Sequence, residues 1–188
     1  MHAYKKIRAL NRSAILNTII TNGPVSRVKL SRMTGLNQST VSKITSELIG
    51  EGAIYEASRD DGNALGRKPV NLKVSPEYRI YGAIDITLRH TTLSVCDLSG
   101  DVLSQQQLET FSDNPLNFFD TCASRLATMI KEFTQPVAGV SVIIPAVLNS
   151  SSGLIYWNLA LGWEDINCRE LIEPYFECPV FVENDAKA

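Results

Sequence analysis

The sequence has no apolar run long enough to cross a bilayer, and it begins with polar residues rather than the apolar core of a signal peptide. We therefore expect a cytoplasmic protein that does not insert into a membrane. Histidine and cysteine are scarce, and the cysteines are widely spaced without a CxxC pair: Cys96, Cys122, Cys168 and Cys178. This spacing argues against a disulfide framework and against a metal site, so we expect reduced thiols and no metal ligand.

The net charge of -2 conceals a strong asymmetry along the chain. Residues 1–73 hold 12 Lys and Arg against 5 Asp and Glu, a net charge of +7. The remainder holds 6 against 15, a net charge of -9. A basic segment joined to an acidic one predicts that the first third of the chain meets a polyanion and that the rest does not.

The basic segment contains a pattern typical of a helix-turn-helix. Ser26 is suited to cap a first helix, whose core contacts we assign to Val28, Leu30 and Met33. Gly35 supplies the permissive backbone that a sharp turn needs.

The second helix of this motif, over residues 37–51, is predicted to contact DNA. Asn37 can cap it, and Val41, Ile44 and Leu48 form one apolar face. The opposite face offers short hydrogen-bonding groups and a cation, which suit base edges and phosphates. The predicted DNA contacts are Gln38, Ser39, Thr40, Ser42 and Lys43. An ordinary helical hairpin with a solvated polar face is the alternative.

The flanking sequence favours a winged helix. An earlier helix has Ile15, Leu16, Ile19 and Ile20 at helical spacing, and we expect Gly23 to end it as a left-handed cap before Pro24. Two strands, over 54–58 and 70–74, flank a turn-rich loop. Arg67 and Lys68 near its tip are predicted to contact DNA, unless they are merely a solvated tip.

The second half of the chain alternates strand and helix patterns, which predicts an α/β fold. Strands are expected near 80–86, 91–96, 102–108, 137–144, 154–156 and 178–182, with helices from Pro115 and over 169–176. We place the two domains at 1–76 and 77–188.

The whole chain resembles the N-terminal half of a transcriptional regulator of the ROK family (repressors, open reading frames, kinases). The matching stretches are Gly66-Arg-Lys-Pro69, residues 83–103, Val140-Ser-Val-Ile-Ile-Pro145, Asn158 with Gly162-Trp163, and Val182-Glu-Asn-Asp-Ala186. The last is the most specific, because that family carries an E-N-D-A signature after a strand. The resemblance implies a mainly helical winged helix-turn-helix, followed by the incomplete first lobe of an actin-like, ribonuclease-H-like ATPase fold.

The resemblance also implies roles for individual residues. Asn158, Asn184 and Asp185 would bind sugar hydroxyls, and the position of Asp185 is that of the general base in the family's kinases. Asp85 corresponds to the aspartate that opens the kinases' phosphate loop. Taken alone, Asn184 and Asp185 could be a helix cap, and Asn158 a turn residue. For Trp157 and Trp163 we favour the core over a sugar platform.

Two departures from the family's pattern argue against kinase activity. The phosphate loop lacks its glycines, because Thr87 and Leu88 stand where a backbone must approach phosphate. Pro145-Ala146 replaces the family's Pro-Gly. We expect poor nucleotide binding, a non-catalytic Asp185 and no enzyme activity.

Regulators of this family extend about twice as far as this chain. The resemblance therefore implies that a second lobe, the zinc site and most dimer contacts lie outside these residues. We interpret the sequence as a truncated chain that binds sugar weakly and holds no cofactor.

The preferred hypothesis is a sequence-specific DNA-binding regulator, a repressor of carbohydrate uptake or catabolism genes. It would bind double-stranded operator DNA, respond to a sugar or sugar phosphate, and form a homodimer or higher oligomer at full length. The alternative is an ATP-dependent, hexokinase-like ROK sugar kinase with an accessory DNA-binding domain. A third possibility is a remnant that binds DNA constitutively or fails to fold.

Overall fold

The computed structural model describes residues 2–57, 70–111 and 113–186, with side chains from residue 5 onward. Two compact units make up the chain, Met1–Tyr78 and Arg79–Ala188. Within the described ranges, every helix is too short or too polar to span a bilayer.

The first unit has the three helices and the hairpin that the sequence predicts. Its elements are α1 (His2–Asn22), β1 (Val25–Ser26), α2 (Arg27–Thr34), α3 (Gln38–Gly50), β2 (Ile54–Ala57) and β3 (Asn71–Val74). The strands form an antiparallel sheet in the order β1-β3-β2. The two-residue strand β1 was not predicted, and it adds a third strand beside β3.

The core of this unit lies between its helices. Ile15 and Ile19 of α1, Leu30 of α2, and Val41 and Leu48 of α3 are each no more than 1% exposed. Burial of each such side chain contributes about 1.5–3 kcal/mol. Leu16 is only half-buried and Ile20 is 37% exposed, so the apolar stripe of α1 is narrower than predicted.

Gly23 ends α1, but the predicted left-handed cap is wrong. Its φ is not among the positive values of the described glycines. The Gly23 amide donates to the Ile19 carbonyl oxygen at 2.9 Å, and a Cβ at position 23 would lie 2.5 Å from that oxygen. Glycine is thus required at position 23, because the backbone there lies too close to the preceding helical turn to carry a Cβ.

The second unit is built on a five-stranded sheet. Its elements are β4 (Ile80–Ile86), β5 (His90–Asp97), β6 (Val102–Glu109), α4 (Pro115–Ile130), β7 (Val137–Ile144), β8 (Val147–Asn149), β9 (Leu154–Asn158), β10 (Trp163–Asn167), α5 (Cys168–Ile172), a 3₁₀ turn (Glu173–Tyr175) and β11 (Val180–Asn184). The sheet order is β11-β7-β4-β5-β6. Strands β4, β5 and β6 are antiparallel neighbours, whereas β7 and β11 run parallel to β4.

Helix α4 packs its apolar face against this sheet. Phe118, Phe119, Cys122 and Leu126 are fully buried, as their helical spacing predicts. Trp163 lies against both phenylalanines, with ring centroids 5.2 Å from each. Aromatic contacts at this separation add to the stability gained from burial alone.

A small antiparallel sheet, in the order β10-β9-β8, follows strand β7. The sequence predicted only part of β9, because β8 is three residues long and β10 is largely polar. The helix predicted over 169–176 is divided into α5 and the 3₁₀ turn, which contains Pro174. Proline has no amide hydrogen to continue an α-helix.

Candidate nucleic-acid interface and ligand cleft

The caps and the turn of the helix-turn-helix lie where the sequence predicts them. The Ser26 hydroxyl accepts from the Lys29 amide at 3.3 Å at the start of α2. Gly35 follows α2 with a φ of 70°. The Asn37 side chain accepts from the Thr40 amide at 2.8 Å at the start of α3. Each bond satisfies an amide that the helix itself leaves unpaired.

The predicted core contacts of α2 are only partly right. Leu30 is fully buried, but Val28 and Met33 are each 45% exposed. Three polar residues share the inner face with Leu30: Arg27, Ser31 and Thr34. The Ser31 hydroxyl donates to the Leu36 carbonyl at 2.6 Å, and this local bond allows a polar side chain to face inward.

Helix α3 separates a buried face from a polar one, as predicted. Val41, Ile44 and Leu48 are buried, whereas Gln38, Ser39, Ser42 and Lys43 are exposed and Thr40 is half-buried. The Ser39 hydroxyl donates to the capping Asn37 at 2.7 Å. Among the described residues, the side chains of Gln38 and Ser42 have no hydrogen-bond partner. They are therefore free to bond to an external surface.

Two ion pairs connect α1 to α3. Arg8 pairs with Glu47 at 2.8 Å, and Arg12 forms a bidentate pair with Glu51 that includes a 2.9 Å contact. The hydrogen bond from Arg8 holds the pKa of the Glu47 carboxyl below its ordinary value. Residues 8 and 12 share the four-residue spacing of 47 and 51, a signal that sequence reasoning missed. The charges of these arginines are therefore balanced by carboxylates of α3 and of its C-cap residue.

Two lysines and one arginine of α2 and α3 are exposed. Arg27 pairs with Glu56 at 2.9 Å. In the part of the chain that the structure describes, Lys29, Arg32 and Lys43 are exposed and form no ion pair. Cations without an internal partner are available to phosphates.

The wing is described only at its base. Strands β2 and β3 pair from Ile54 with Val74 to Ala57 with Asn71. The predicted contacts Arg67 and Lys68 lie outside the described residues, and they stay predictions.

A cleft of about 410 Å³ opens beside the C-terminal ends of β7 and β11 in the second unit. It is lined by Pro145, Ala146, Val147, Trp157, Asn158, Leu159, Ala160, Asn184, Asp185 and Ala186. The three residues predicted to bind sugar therefore come together, although Asn158 and Asn184 belong to different sheets. Their role in sugar binding stays a prediction.

Asn158 is buried and its amide is occupied by backbone partners. Its side-chain oxygen accepts from the amides of Ala160 and Leu161, both at 3.0 Å. Its nitrogen donates to the Pro145 carbonyl at 3.0 Å. Only 4% of the residue is exposed. The side chain thus joins the loop after β9 to the end of β7.

Asn184 is similarly engaged, whereas Asp185 is available. The Asn184 nitrogen donates to the Ala146 carbonyl at 2.8 Å, and its side-chain oxygen accepts from the Ala186 amide at 2.9 Å. Asp185 is exposed, and no described residue donates to its carboxylate. Asp185 is therefore the cleft residue best placed to accept hydrogen bonds from a ligand.

Comparisons with known proteins agree with both halves of this description. A ROK family profile matches residues 81–188, and a winged helix-turn-helix DNA-binding profile matches residues 9–55. The chain belongs to the ROK family. Its first unit is a winged helix-turn-helix, and its second is the partial actin-like lobe that the resemblance implied.

Two curated relatives illustrate the ROK membership. The chain is 28% identical over 185 residues to the xylose repressor of Bacillus spizizenii, covering 97% of this chain and 48% of that protein. It is 29% identical over 187 residues to the N-acetylglucosamine repressor of Escherichia coli O6:H1, covering 97% and 45%. The chain thus spans about half the length of the curated relatives it matches.

Solved structures show the same fold. A ROK family transcriptional regulator, a homolog of the E. coli MLC protein, superposes with a TM-score of 0.70 at 23% identity, covering 95% of this chain and 46% of that one. A ROK glucokinase from Streptomyces griseus superposes with a TM-score of 0.50 at 20% identity, covering 57% and 33%.

The turn between β4 and β5 lies where the resemblance implies the phosphate loop of ROK kinases. Thr87 closes it: its amide and hydroxyl donate to the His90 carbonyl at 3.0 and 2.6 Å, and its hydroxyl accepts from the His90 amide at 3.2 Å. Leu88 is 51% exposed. Two amides that could bind phosphate are thus occupied within the turn.

The two tryptophans of this ROK chain differ in environment. Trp163 is 1% exposed, which confirms its assignment to the core. Trp157 is 51% exposed and lines the cleft, so the core assignment is wrong for it.

Sequence reasoning also missed the contacts of Glu183. Its carboxylate accepts from the Ser150 hydroxyl at 2.8 Å and from the Asn184 amide at 3.0 Å.

Proposed function

We propose that the chain forms the DNA-binding unit and the first effector lobe of a repressor of carbohydrate uptake or catabolism genes. The observation that carries the proposal is the polar face of α3, where Gln38, Ser42 and Lys43 are exposed beside a fully buried apolar face. The names of the relatives, a xylose repressor and an N-acetylglucosamine repressor, support the same function.

In this proposal α3 enters the major groove of operator DNA. Gln38 at the N-terminus of α3 can form a bidentate contact with adenine, and Lys43 can neutralise a phosphate. Ser39, Thr40 and Ser42 supply shorter hydrogen-bonding groups, and Arg67 and Lys68 would contact DNA from the wing. Because one helix-turn-helix recognises only a half-site, two copies bind one operator.

The second unit would sense the effector, a sugar or sugar phosphate, in the cleft beside Asp185. Effector binding would shift the full-length oligomer between conformations that bind and release DNA, which requires a different affinity for each. Operator DNA is part of the chromosome, so the proposal places the protein in the cytoplasm. It assigns no cofactor to these residues, and DNA binding by the 188-residue chain should survive EDTA.

The test is a salt titration of DNA binding. Duplexes would be selected by the protein from a random-sequence pool, and the dissociation constant measured by fluorescence anisotropy at several NaCl concentrations. Lys43→Ala should weaken binding and lower the slope of log K against log [salt] by about 1. Gln38→Ala should cost about 1–3 kcal/mol and relax the preference at one base pair.

A matched control separates a contact from a general loss of charge. Lys131→Ala removes the same charge from an exposed lysine of the second unit, and it should leave the slope unchanged. If Lys43→Ala and Lys131→Ala behave alike, the assignment of α3 is wrong. A wild-type affinity that does not depend on salt would reject DNA binding altogether.

A sugar kinase remains the second candidate, because Asp185 has an exposed carboxylate and the resemblance implies that it stands at the position of the general base in ROK kinases. The closed turn at Thr87 supports the absence of phosphoryl transfer. Incubation with ATP and either D-xylose or N-acetyl-D-glucosamine should give no sugar phosphate. Turnover that Asp185→Asn abolishes would favour the kinase.

A further inference from the structure

Trp157 is an exposed aromatic side chain in a unit that buries its other tryptophan. Trp163 packs against Phe118 and Phe119, whereas no aromatic ring of the described residues contacts Trp157. Leaving half of an indole in water forgoes much of the free energy that its burial would provide. The packing of β9 covers only half of this side chain, so a bound ligand would account for the half that stays exposed.

The surroundings of Trp157 combine apolar and polar groups. Its register partners are Val147 on β8 and Glu164 on β10. Val147 and Leu159, which also line the cleft, are 46% and 90% exposed. The same cleft is lined by Asp185, whose carboxylate has no donor among the described residues. An apolar surface therefore adjoins a hydrogen-bond acceptor.

This combination matches the chemistry of a monosaccharide. A sugar ring presents C–H groups on its faces and hydroxyl donors around its edge, so it needs an apolar surface and a few fixed polar groups. The cleft is shallow, and its volume of about 410 Å³ lies toward the lower end of the roughly 300–1,000 Å³ found for small-molecule sites. Asn158 and Asn184 hold the cleft in shape through backbone bonds and leave the acceptor role to Asp185.

We propose that Trp157 is the platform on which the C–H face of the effector sugar packs, while Asp185 accepts hydrogen bonds from its hydroxyls. This inference rests on the proposed sugar-sensing function. It makes Trp157 a determinant of affinity and of sugar stereochemistry, because a flat indole packs closely only on a sugar face that carries few axial groups.

The experiment uses the two tryptophans as reporters in the 188-residue chain. D-xylose and N-acetyl-D-glucosamine would be titrated by calorimetry and by tryptophan fluorescence with acrylamide as quencher. The bound sugar should change the emission of Trp157 and protect it from acrylamide, whereas the buried Trp163 should be insensitive. Trp157→Phe keeps a flat ring and should keep most of the affinity. Trp157→Ala should weaken binding by roughly tenfold.

Tyr156→Ala is the matched control, since Tyr156 is an adjacent, 40% exposed aromatic residue that does not line the cleft. It should leave sugar affinity unchanged. The Trp163 emission of each variant, together with its DNA affinity, reports that both units are folded. Unchanged sugar affinity in Trp157→Ala would overturn the platform while leaving sugar sensing intact. No heat and no quenching change with wild-type protein, at sugar concentrations high enough to detect weak binding, would overturn both.

Discussion

Replacement of Asn158 tests whether this residue is a structural anchor or only a ligand contact. The side chain makes three hydrogen bonds of 3.0 Å to the backbone of Pro145, Ala160 and Leu161 in a site that is 4% exposed. Each contributes about 0.5–1.5 kcal/mol net, and Asn158→Ala leaves buried partners unpaired. The variant should therefore lower the free energy of unfolding by about 2–4 kcal/mol.

Urea unfolding followed by tryptophan fluorescence measures this loss selectively, since both tryptophans belong to the second unit. The midpoint should fall by roughly 1–3 M. Asn158→Asp keeps the oxygen that accepts from two amides but places a buried carboxylate oxygen against the Pro145 carbonyl, so its loss should be no smaller. Leu159→Ala changes the neighbouring side chain, which is 90% exposed, and should leave the midpoint unchanged. A wild-type midpoint for Asn158→Ala would refute the anchor role.

Two further predictions concern the second unit. Gly153 has a φ of 80° and a Cβ there would lie 2.4 Å from the Arg169 Cβ, whereas Gly100 has a φ of 90° and open space. On the same urea curves Gly100→Ala should cost about 1 kcal/mol, and Gly153→Ala should cost clearly more. Equal losses of stability would mean that the chain around Arg169 shifts to accommodate the added methyl group without a further cost in free energy. Burial raises the pKa of Cys122 and Cys168 to about 12, so neither should react with a disulfide reagent at pH 8 until urea unfolds the unit. Because these pKa values are raised in the folded state, the contribution of the two thiols to the free energy of unfolding should be constant below about pH 9 and fall as the pH rises above it.

Local features were predictable from the sequence. Ser26 and Asn37 each cap a helix by bonding to an amide three residues ahead, and Gly35 adopts its positive φ between them. Such contacts depend on neighbouring residues and on helical spacing, which the sequence states directly. The polar face of α3 follows from the same periodicity.

Side-chain environments within α2 and β9 were not predictable in the same way. Val28 and Met33 are exposed because polar residues with local partners share the inner face of α2 with Leu30. Trp157 and Trp163 have similar sequence surroundings, yet only Trp163 meets the phenylalanines of α4. Hydrophobicity predicts that a side chain can be buried, and packing decides which ones are.

The sequence by itself determined a basic helix-turn-helix followed by an acidic α/β lobe with a ROK signature at its end. Only the tertiary structure decided that Arg8 binds Glu47, and that the Asn184 side chain meets the Ala146 carbonyl 38 residues away. It also decided that the Trp157 side chain lines the cleft. The physical reason is distance along the chain: caps and helical faces are set within a few residues, whereas these contacts exist only once separate helices and strands have packed.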